Sequence, residues 1–231
     1  MRLKAVSFDI GHTLVNYPNP LDWKSLYAPA VERVFAECAI SGSPERLRQA
    51  AEILTSYNTR ENPREHEVNS DIIFQEIFDA WAEPHDKIPP AKAAFYGFFQ
   101  AGAVLYDDAE AALRFLRDKG LKLGALTDVA YGMDNAYSLR DIEAIRWYFD
   151  AVLTSVDVGF RKPGKAGFLE LLRLLGVSPA EMLYVGDEEK DIAGAKAAGA
   201  VSALIVRGGE RPDYGQDFTA GSLSEICGLI P

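Results

Sequence analysis

Carboxylates, hydroxyl groups and a lysine follow short apolar runs at four places in the chain, and such groups could bind an anion beside a divalent cation. Asp9 lies near the end of the run LKAVSFDI and is followed by Gly11 and Thr13. A carboxylate there can act as a nucleophile while backbone N–H groups of the turn face an anion. Thr127 and Asp128 follow the run LKLGAL, and their hydroxyl and N–H groups could hold a phosphate oxygen.

A lysine and a pair of carboxylates follow the next two apolar runs. Lys162 precedes Pro163, and the residue before a proline is held extended. Its ammonium group is therefore aimed in one direction and could neutralise a bound phosphoryl group. Asp187 and Asp191 are four residues apart, which places them on one face of a helix start. Because crowded carboxylates repel one another without a cation, we expect Mg²⁺, which prefers oxygen ligands, between them.

Each of these residues also suits an ordinary structural role. An aspartate such as Asp9 is common in turns, and a Thr-Asp pair such as Thr127 and Asp128 is common at helix caps. A single lysine is most often solvated at the surface, and the helix dipole favours acidic residues in a first turn. What favours one shared site is that all of these residues follow apolar runs, in one order along the chain.

The apolar runs alternate with helical patterns, which predicts the fold. The runs cover residues 3–10, 121–126, 151–154, 182–185 and 201–206 and suit strands that are buried on both faces of a parallel sheet. Helical patterns over residues 108–119, 164–175 and 188–198 each end at a glycine. The alternation predicts an α/β protein with a doubly wound, mostly parallel, Rossmann-like sheet. Ligand sites in such sheets lie at the carboxyl ends of the strands.

A second domain interrupts this alternation. Four helical stretches, over residues 22–40, 44–57, 68–81 and 90–103, lie between the first strand and the 108–119 helix without a convincing strand. They predict a helical-bundle cap at residues 17–104 and an α/β core at residues 1–16 and 105–231, with the segments 17–20 and 102–107 as hinges. Arg60 and Arg64 could reach an anionic substrate from the cap, although a solvated loop is the usual place for such residues.

Composition excludes several classes of partner. The 231 residues carry a net charge of −10, which disfavours non-specific binding to nucleic acid. No stretch approaches the ~20 apolar residues that cross a bilayer. The two cysteines, Cys38 and Cys227, are far apart and suit free thiols in a reducing compartment. We therefore expect a soluble cytoplasmic protein, monomeric or homodimeric, that has no membrane or nucleic-acid partner.

The four motifs resemble those of the haloacid dehalogenase-like hydrolase superfamily, and the helical insertion resembles the all-helical cap of that family. The strings that carry the resemblance are FDIGHTLV, ALTD, RKPGKAGF and YVGDEEKDIAGAKAAG. The resemblance implies that Asp9 is a nucleophile for a phosphoryl group, that Thr127 binds the oxygens of that group, and that Lys162 balances the charges of both. It also implies a small phosphorylated substrate. We expect Asp128 and His12 to contact this substrate as well. The ligands that it implies for Mg²⁺ are Asp9, the backbone carbonyl of Gly11, Asp187 and Asp191.

The chain departs from the family pattern at one catalytic position. Family phosphatases usually read Asp-x-Asp-Gly-Thr, whereas here Gly11 stands in place of the second aspartate, which serves as general acid and base. Proton transfer of that kind is typically worth about 10²–10⁴ in rate. The carbonyl of Gly11 can still face a metal ion, so metal binding need not be lost.

Several functions remain compatible with this departure. The chain could be a phosphatase that acts on esters with good leaving groups, or one that uses water or His12 as the acid, although neighbouring side chains often point apart. It could be a slow hydrolase or a phosphotransferase, a haloacid dehalogenase, or a binding or regulatory protein without turnover. A dehalogenase needs no metal, so Asp187 and Asp191 argue against it, and a phosphonate hydrolase needs a cap lysine that does not stand out here. We expect a Mg²⁺-dependent hydrolase of a small phosphorylated metabolite.

Overall fold

The computed structural model describes residues 3–18 and 23–230, and a parallel six-stranded sheet lies at its centre. The order of strands across this sheet is β5-β4-β1-β6-β7-β8. A separate antiparallel pair, β2 and β3, lies outside it. The bounds of the strands are Ala5–Phe8 (β1), Val15–Asn16 (β2), Val104–Leu105 (β3), Lys122–Thr127 (β4), Ala151–Thr154 (β5), Met182–Gly186 (β6), Val201–Ile205 (β7) and Phe218–Ala220 (β8).

Four of the helices lie between β2 and β3 along the chain and share one apolar cluster, and we call this group of helices the cap. In the described residues, no helix is long and apolar enough to span a membrane. The bounds of the cap helices are Tyr27–Glu37 (α1), Pro44–Tyr57 (α2), Ser70–Trp81 (α3) and Ile88–Phe99 (α4). Those of the remaining helices are Ala109–Asp118 (α5), Asn135–Ser138 (α6), Ser155–Val158 (α7), Ala166–Leu175 (α8), Glu189–Ala197 (α9) and Leu223–Gly228 (α10).

The central strands are buried on both faces, as their apolar sequences require. All four residues of β1 are buried, and so are all five of β6. The register pairs Phe8 with Ala125 of β4 on one side and with Val185 of β6 on the other. Apolar clusters cover the sheet on each face, one including Leu113 of α5 and the other Phe168 of α8. The predicted α/β fold with a mostly parallel sheet is confirmed.

The structure differs from the sequence prediction in several short elements. The strand β8, with the sequence FTA, and the two-residue strands β2 and β3 were not predicted, because runs this short have no readable period. The stretch predicted as a helix from residue 22 to residue 40 divides into a 3₁₀ turn, Trp23–Leu26, and α1. Its first residue, and residues 19 and 20 of the predicted hinge, lie outside the described residues.

The cap and the core share one apolar cluster. Tyr131, in the loop after β4, packs among the cap helices with Val129 and Met133. Its hydroxyl group lies 2.5 Å from the hydroxyl group of Tyr27, and its carbonyl oxygen accepts from the hydroxyl group of Tyr96 at 3.0 Å. This loop also lies close to the backbone of the cap, because a Cβ at Gly132 would lie 2.1 Å from the carbonyl oxygen of Val68.

Candidate active site

The carboxyl end of β1 brings Asp9 to the point where the winding of the sheet reverses. β1 lies between β4 and β6, so the chain leaves β1 on one side and returns on the other. The backbone N–H of Asp9 donates to Val185 O at 2.9 Å, and the residue is 7% exposed. Ligand sites of open α/β sheets lie in the crevice at such a switch point. Asp9 therefore lines this crevice with its backbone fixed by the sheet.

Lys162 forms the centre of the charged group at the switch point. Its Nζ lies 2.7 Å from Asp9 Oδ1 and 2.5 Å from Asp191 Oδ1. Burial alone acts to lower the pKa of Lys162, but the charges of Asp191 and Asp9 outweigh it and hold the pKa well above its usual value. The lysine is therefore a fixed cation between two carboxylates. A cation held in this way can neutralise an anionic group that binds beside it.

Three carboxylates meet beside this lysine. Asp9, Asp187 and Asp191 each offer an oxygen atom, and these atoms all lie within 4.8 Å of one another. Burial, followed by the charges of Asp9 and Asp191, raises the pKa of Asp187 to about 8. Carboxylates that are destabilised in this way by burial and mutual repulsion are a suitable site for a hard divalent cation.

Asp191 is held more tightly by the protein than the sequence suggests. Its Oδ1 accepts from Lys162, and its Oδ2 accepts from the backbone N–H of Glu188 at 3.0 Å, as part of the cap of α9. A Cβ at Gly186 would lie 2.4 Å from the Asp191 side chain, so only glycine fits there. Asp187 and Asp191, the two aspartates that were predicted to share a helix face, lie close together. Asp191 also holds Lys162 and the first turn of α9 in place.

The loop after β4 contributes Thr127 and Asp128 to the same cavity. Thr127 is 9% exposed, at the end of its strand. Asp128, predicted to contact substrate, points at the neighbouring loop: its Oδ1 accepts from the backbone N–H of Lys162 at 3.1 Å. Its Oδ2 lies 3.5 Å from Lys190 Nζ. In the described structure, Asp128 therefore ties the Thr127 loop to the Lys162 loop.

His12, which was expected to contact substrate, lines the same cavity as Asp9. The backbone of His12 has a φ of 52°, which lies in the left-handed region and turns its side chain toward the site. Its ring packs edge-on against Tyr17, with ring centres 5.8 Å apart. Its Nε2 is buried and has no hydrogen-bond partner among the described residues.

The cap closes over these groups to form a cavity of about 1050 Å³. Arg60 and Arg64 both line it, and Arg60 Nη2 lies 2.5 Å from Glu188 Oε1 of the core. In the described part of the chain, four buried side-chain nitrogen or oxygen atoms have no hydrogen-bond partner. The three that belong to residues lining this cavity are His12 Nε2, Arg64 Nε and Ser138 Oγ. Such atoms mark a cavity that is built to receive polar groups.

Several cavity residues were not identified from the sequence. Tyr17 and Asp141 face it as a pair, with Tyr17 Oη 2.6 Å from Asp141 Oδ2. Trp23 lines it from the cap side. They follow none of the strands predicted from the sequence and form no motif, so only the packing of the cap on the core could bring them here.

Known proteins resemble this chain over most of its length. The sequence signature of haloacid dehalogenase-like hydrolases matches residues 3–199. The chain is 31% identical over 216 residues to a glyceraldehyde 3-phosphate phosphatase of Methanopyrus kandleri, a match that covers 89% of this chain and 85% of that protein. A HAD phosphatase from Thermococcus onnurineus superposes with a TM-score of 0.65 at 26% identity, over 98% of this chain and 97% of that one. A 2-haloacid dehalogenase from Pseudomonas syringae superposes with a TM-score of 0.75 at 24% identity over the same shares, which shows a common fold alone.

Proposed function

We propose that this chain, which belongs to the haloacid dehalogenase-like hydrolases, is a Mg²⁺-dependent phosphatase of a small phosphorylated metabolite. Membership makes the chain a hydrolase. The observation that carries the finer proposal is the arrangement of Lys162, which lies between Asp9 and Asp191 with Asp187 beside them. A nucleophile, a fixed cation and a further acidic residue in one cavity suit phosphoryl transfer.

Asp9, Asp187 and the carbonyl of Gly11 would hold Mg²⁺, with the charge of Asp191 close by. The fit rests on the cluster of oxygen atoms and on the raised pKa of Asp187, both of which favour a hard cation. When bound, Mg²⁺ would neutralise charge on the phosphoryl oxygens and on the carboxylates. Asp191 contributes mainly by holding Lys162 in place, because both of its oxygens already accept hydrogen bonds from the protein.

The reaction would proceed through Asp9. A carboxylate oxygen of Asp9 attacks phosphorus, the bond from phosphorus to the ester oxygen breaks, and that oxygen leaves with the electron pair and takes a proton from a single water molecule in the cavity to give the alcohol. Thr127 and Lys162 hold the phosphoryl oxygens in line with that attack. Water then attacks phosphorus in the aspartyl phosphate, the bond to the carboxylate breaks, and inorganic phosphate leaves. The cap excludes bulk water during the first step and selects the leaving alcohol.

Gly11 leaves the departing alcohol without a protein acid at the usual position. We expect hydrolysis to depend steeply on the acidity of the leaving alcohol, with p-nitrophenyl phosphate turned over about 10²–10⁴ times faster than an alkyl phosphate. The measurement is kcat for a series of aryl and alkyl phosphates, with glyceraldehyde 3-phosphate included because a relative acts on it. If kcat is the same for alkyl and aryl esters, another group supplies the proton.

A haloacid dehalogenase is the second candidate function. It would use Asp9 to attack a carbon–halogen bond and would need no metal, so the acidic cluster of Asp9, Asp187 and Asp191 favours the phosphatase. Phosphate release and chloride release are to be measured on parallel panels of phosphate esters and 2-haloacids, each with Mg²⁺ and with EDTA. We expect phosphate release that EDTA abolishes, whereas chloride release in EDTA would establish the dehalogenase instead.

The acidic cluster also makes the stability of the metal-free protein depend on pH. The pKa of Asp187 is raised from 3.8 to about 8, so the folded state keeps a proton that the unfolded chain loses near pH 4. Since the folded state binds more protons in this window, its stability falls as the pH rises toward 8. We expect the Tm of the metal-free protein to drop by about 3–10 °C between about pH 5 and pH 8, relative to an Asp187→Asn variant. Addition of Mg²⁺ at the higher pH should restore the loss, and parallel pH curves for the two proteins would contradict the explanation.

A further inference from the structure

Glu67 is a buried carboxylate that the cap inserts into the core. It lies in the loop between α2 and α3, and its side chain is 3% exposed. One oxygen, Oε2, accepts from Ser155 Oγ at 2.6 Å and from Arg161 Nη1. The other, Oε1, accepts from the backbone N–H of Val68 at 2.9 Å and lies 3.3 Å from Arg64 Nη2. A buried carboxylate with four donors fixes the groups that surround it.

Backbone hydrogen bonds join the same cap loop to the segment that precedes Lys162. The N–H of Glu67 donates to Gly159 O at 2.9 Å, and the N–H of Arg161 donates to Glu65 O at 2.8 Å. The two residues that form an antiparallel bridge between these bonds are His66 and Phe160. The cap is therefore paired with the core up to the residue before the lysine.

Arg161 connects Glu67 to both loops of the phosphoryl site. Its side chain is 7% exposed, its Nη1 donates to Val129 O at 2.8 Å, and its Nη2 lies 3.7 Å from Asp128 Oδ2. Asp128 Oδ1 accepts in turn from the backbone N–H of Lys162. Without the carboxylate of Glu67, Arg161 would keep only the more distant Asp128 as a counter-charge. The two loops that Arg161 joins are those that follow β4 and precede α8.

We propose that Glu67 is a positioning residue for Lys162, so that the cap builds part of the phosphoryl-transfer site in addition to covering it. This role rests on the proposed function, because it assigns Lys162 to the phosphoryl group. Lys162 Nζ must hold Asp9 and the phosphoryl oxygens at hydrogen-bond distance, and a displacement of about 1 Å can cost 10²-fold in rate. The cap thus reaches the chemistry through Glu67 and Arg161, with no contact between Glu67 and substrate.

The variant Glu67→Gln tests this role because it removes the charge and keeps the shape of the side chain. A control is Lys92→Met, which removes another ion pair between cap and core, one in which the lysine is buried and its aspartate partners are exposed. Lys92 Nζ lies 2.6 Å from Asp134 of the core and 2.7 Å from Asp71 of the cap, and it shares no partner with Arg161. Both variants should lower the Tm, so a loss that reflects only weaker attachment of the cap should be the same in both.

The kinetic readout is Mg²⁺-dependent hydrolysis of p-nitrophenyl phosphate at a temperature where circular dichroism shows all variants folded. We expect kcat to fall about 10- to 100-fold in Glu67→Gln, with KM within about threefold. In Lys92→Met, kcat should stay within about twofold of the wild type. If Glu67 acts through Arg161, the double variant Glu67→Gln/Arg161→Met should have the kcat of Arg161→Met alone. An unchanged kcat in Glu67→Gln, or equal losses in Glu67→Gln and Lys92→Met, would overturn the proposal.

A binding readout separates this proposal from the proposed function. The Kd of inorganic phosphate, measured by calorimetry with Mg²⁺ present, should rise about tenfold in Glu67→Gln and stay unchanged in Lys92→Met. If the wild type binds phosphate with this pattern but hydrolyses no ester, the phosphatase function fails and the positioning role stands. If the wild type hydrolyses esters while Glu67→Gln matches it in both kcat and Kd, the positioning role fails and the phosphatase function stands. A wild type that neither binds phosphate nor hydrolyses esters would overturn both.

Discussion

Replacement of Gly11 by aspartate is expected to raise kcat for alkyl phosphates by about 10²–10⁴, because a carboxyl group at this position can protonate the leaving oxygen. The backbone accepts a side chain there: a Cβ at Gly11 meets only the ring of Tyr17, at the ordinary contact distance of 3.7 Å. The gain should shrink toward aryl phosphates, whose leaving groups need no acid. The measurement is kcat of Gly11→Asp and wild type across the series of aryl and alkyl phosphates.

Gly11→Ala is the matched control for this gain. It adds the same Cβ without a carboxyl group, so it should leave the slope of the leaving-group series unchanged. If Gly11→Asp loses activity on every ester while Gly11→Ala stays active, the site functions only without a carboxyl group at position 11. Equal gains in both variants would mean that the carboxyl group has no part in the effect.

Asp9→Asn should lower kcat for every phosphate ester by about 10⁴-fold or more, since an amide is neither a nucleophile nor a metal ligand of comparable strength. The substitution keeps the shape of the side chain, and Lys162 keeps Asp191 as its second partner, 2.5 Å away. We therefore expect the folded structure to persist while the chemistry stops. The measurement is single-turnover release of p-nitrophenol, with circular dichroism to check the fold.

Asp86→Asn provides the comparison for this loss, because Asp86 is an exposed aspartate of a cap loop. It should match the wild type in kcat and KM. Retention of more than about 1% of the wild-type kcat in Asp9→Asn would place the nucleophile elsewhere, since loss of a covalent nucleophile costs far more than that.

The strand-end residues could be located from the sequence because one rule of α/β folds connects them. Asp9, Thr127 and Asp187 each follow a buried apolar run, and the carboxyl ends of parallel strands meet at one edge. The sequence predicted this convergence, and the structure brings all three to one cavity. The position of Lys162 does not follow from this rule alone. The loop that carries it is held by a hydrogen bond to Asp128, which lies in another segment of the chain.

The roles of individual side chains in the site were harder to predict than their location. Asp128 was expected to contact substrate, yet its carboxylate is used to hold Lys162 and Lys190 in place. His12 was expected to contact substrate, but the left-handed backbone with which it lines the cavity was not foreseen. Both outcomes depend on local geometry that composition and period do not encode.

The contribution of Glu67 to the site could not be predicted from the sequence. Glu67 stands in a polar loop, in the string REHEV, and nothing in that string distinguishes it from a solvated glutamate. Its burial comes from the pairing of this loop with residues 159–161, nearly a hundred positions away. Arg60 reaches Glu188 in the same way, across the mouth of the cavity. Contacts of this range arise only from the packed structure, as does the short strand β8.

Covalent phosphorylation of Asp9 is the event on which the proposed function depends. The direct measurement is rapid acid quench of the protein with a phosphate ester and Mg²⁺, followed by mass spectrometry of its peptides. We predict one added phosphoryl group on the peptide that contains Asp9, absent in EDTA and absent in Asp9→Asn. A phosphoryl group on another residue, or turnover of the ester with the Asp9 peptide unmodified at every quench time, would contradict the account.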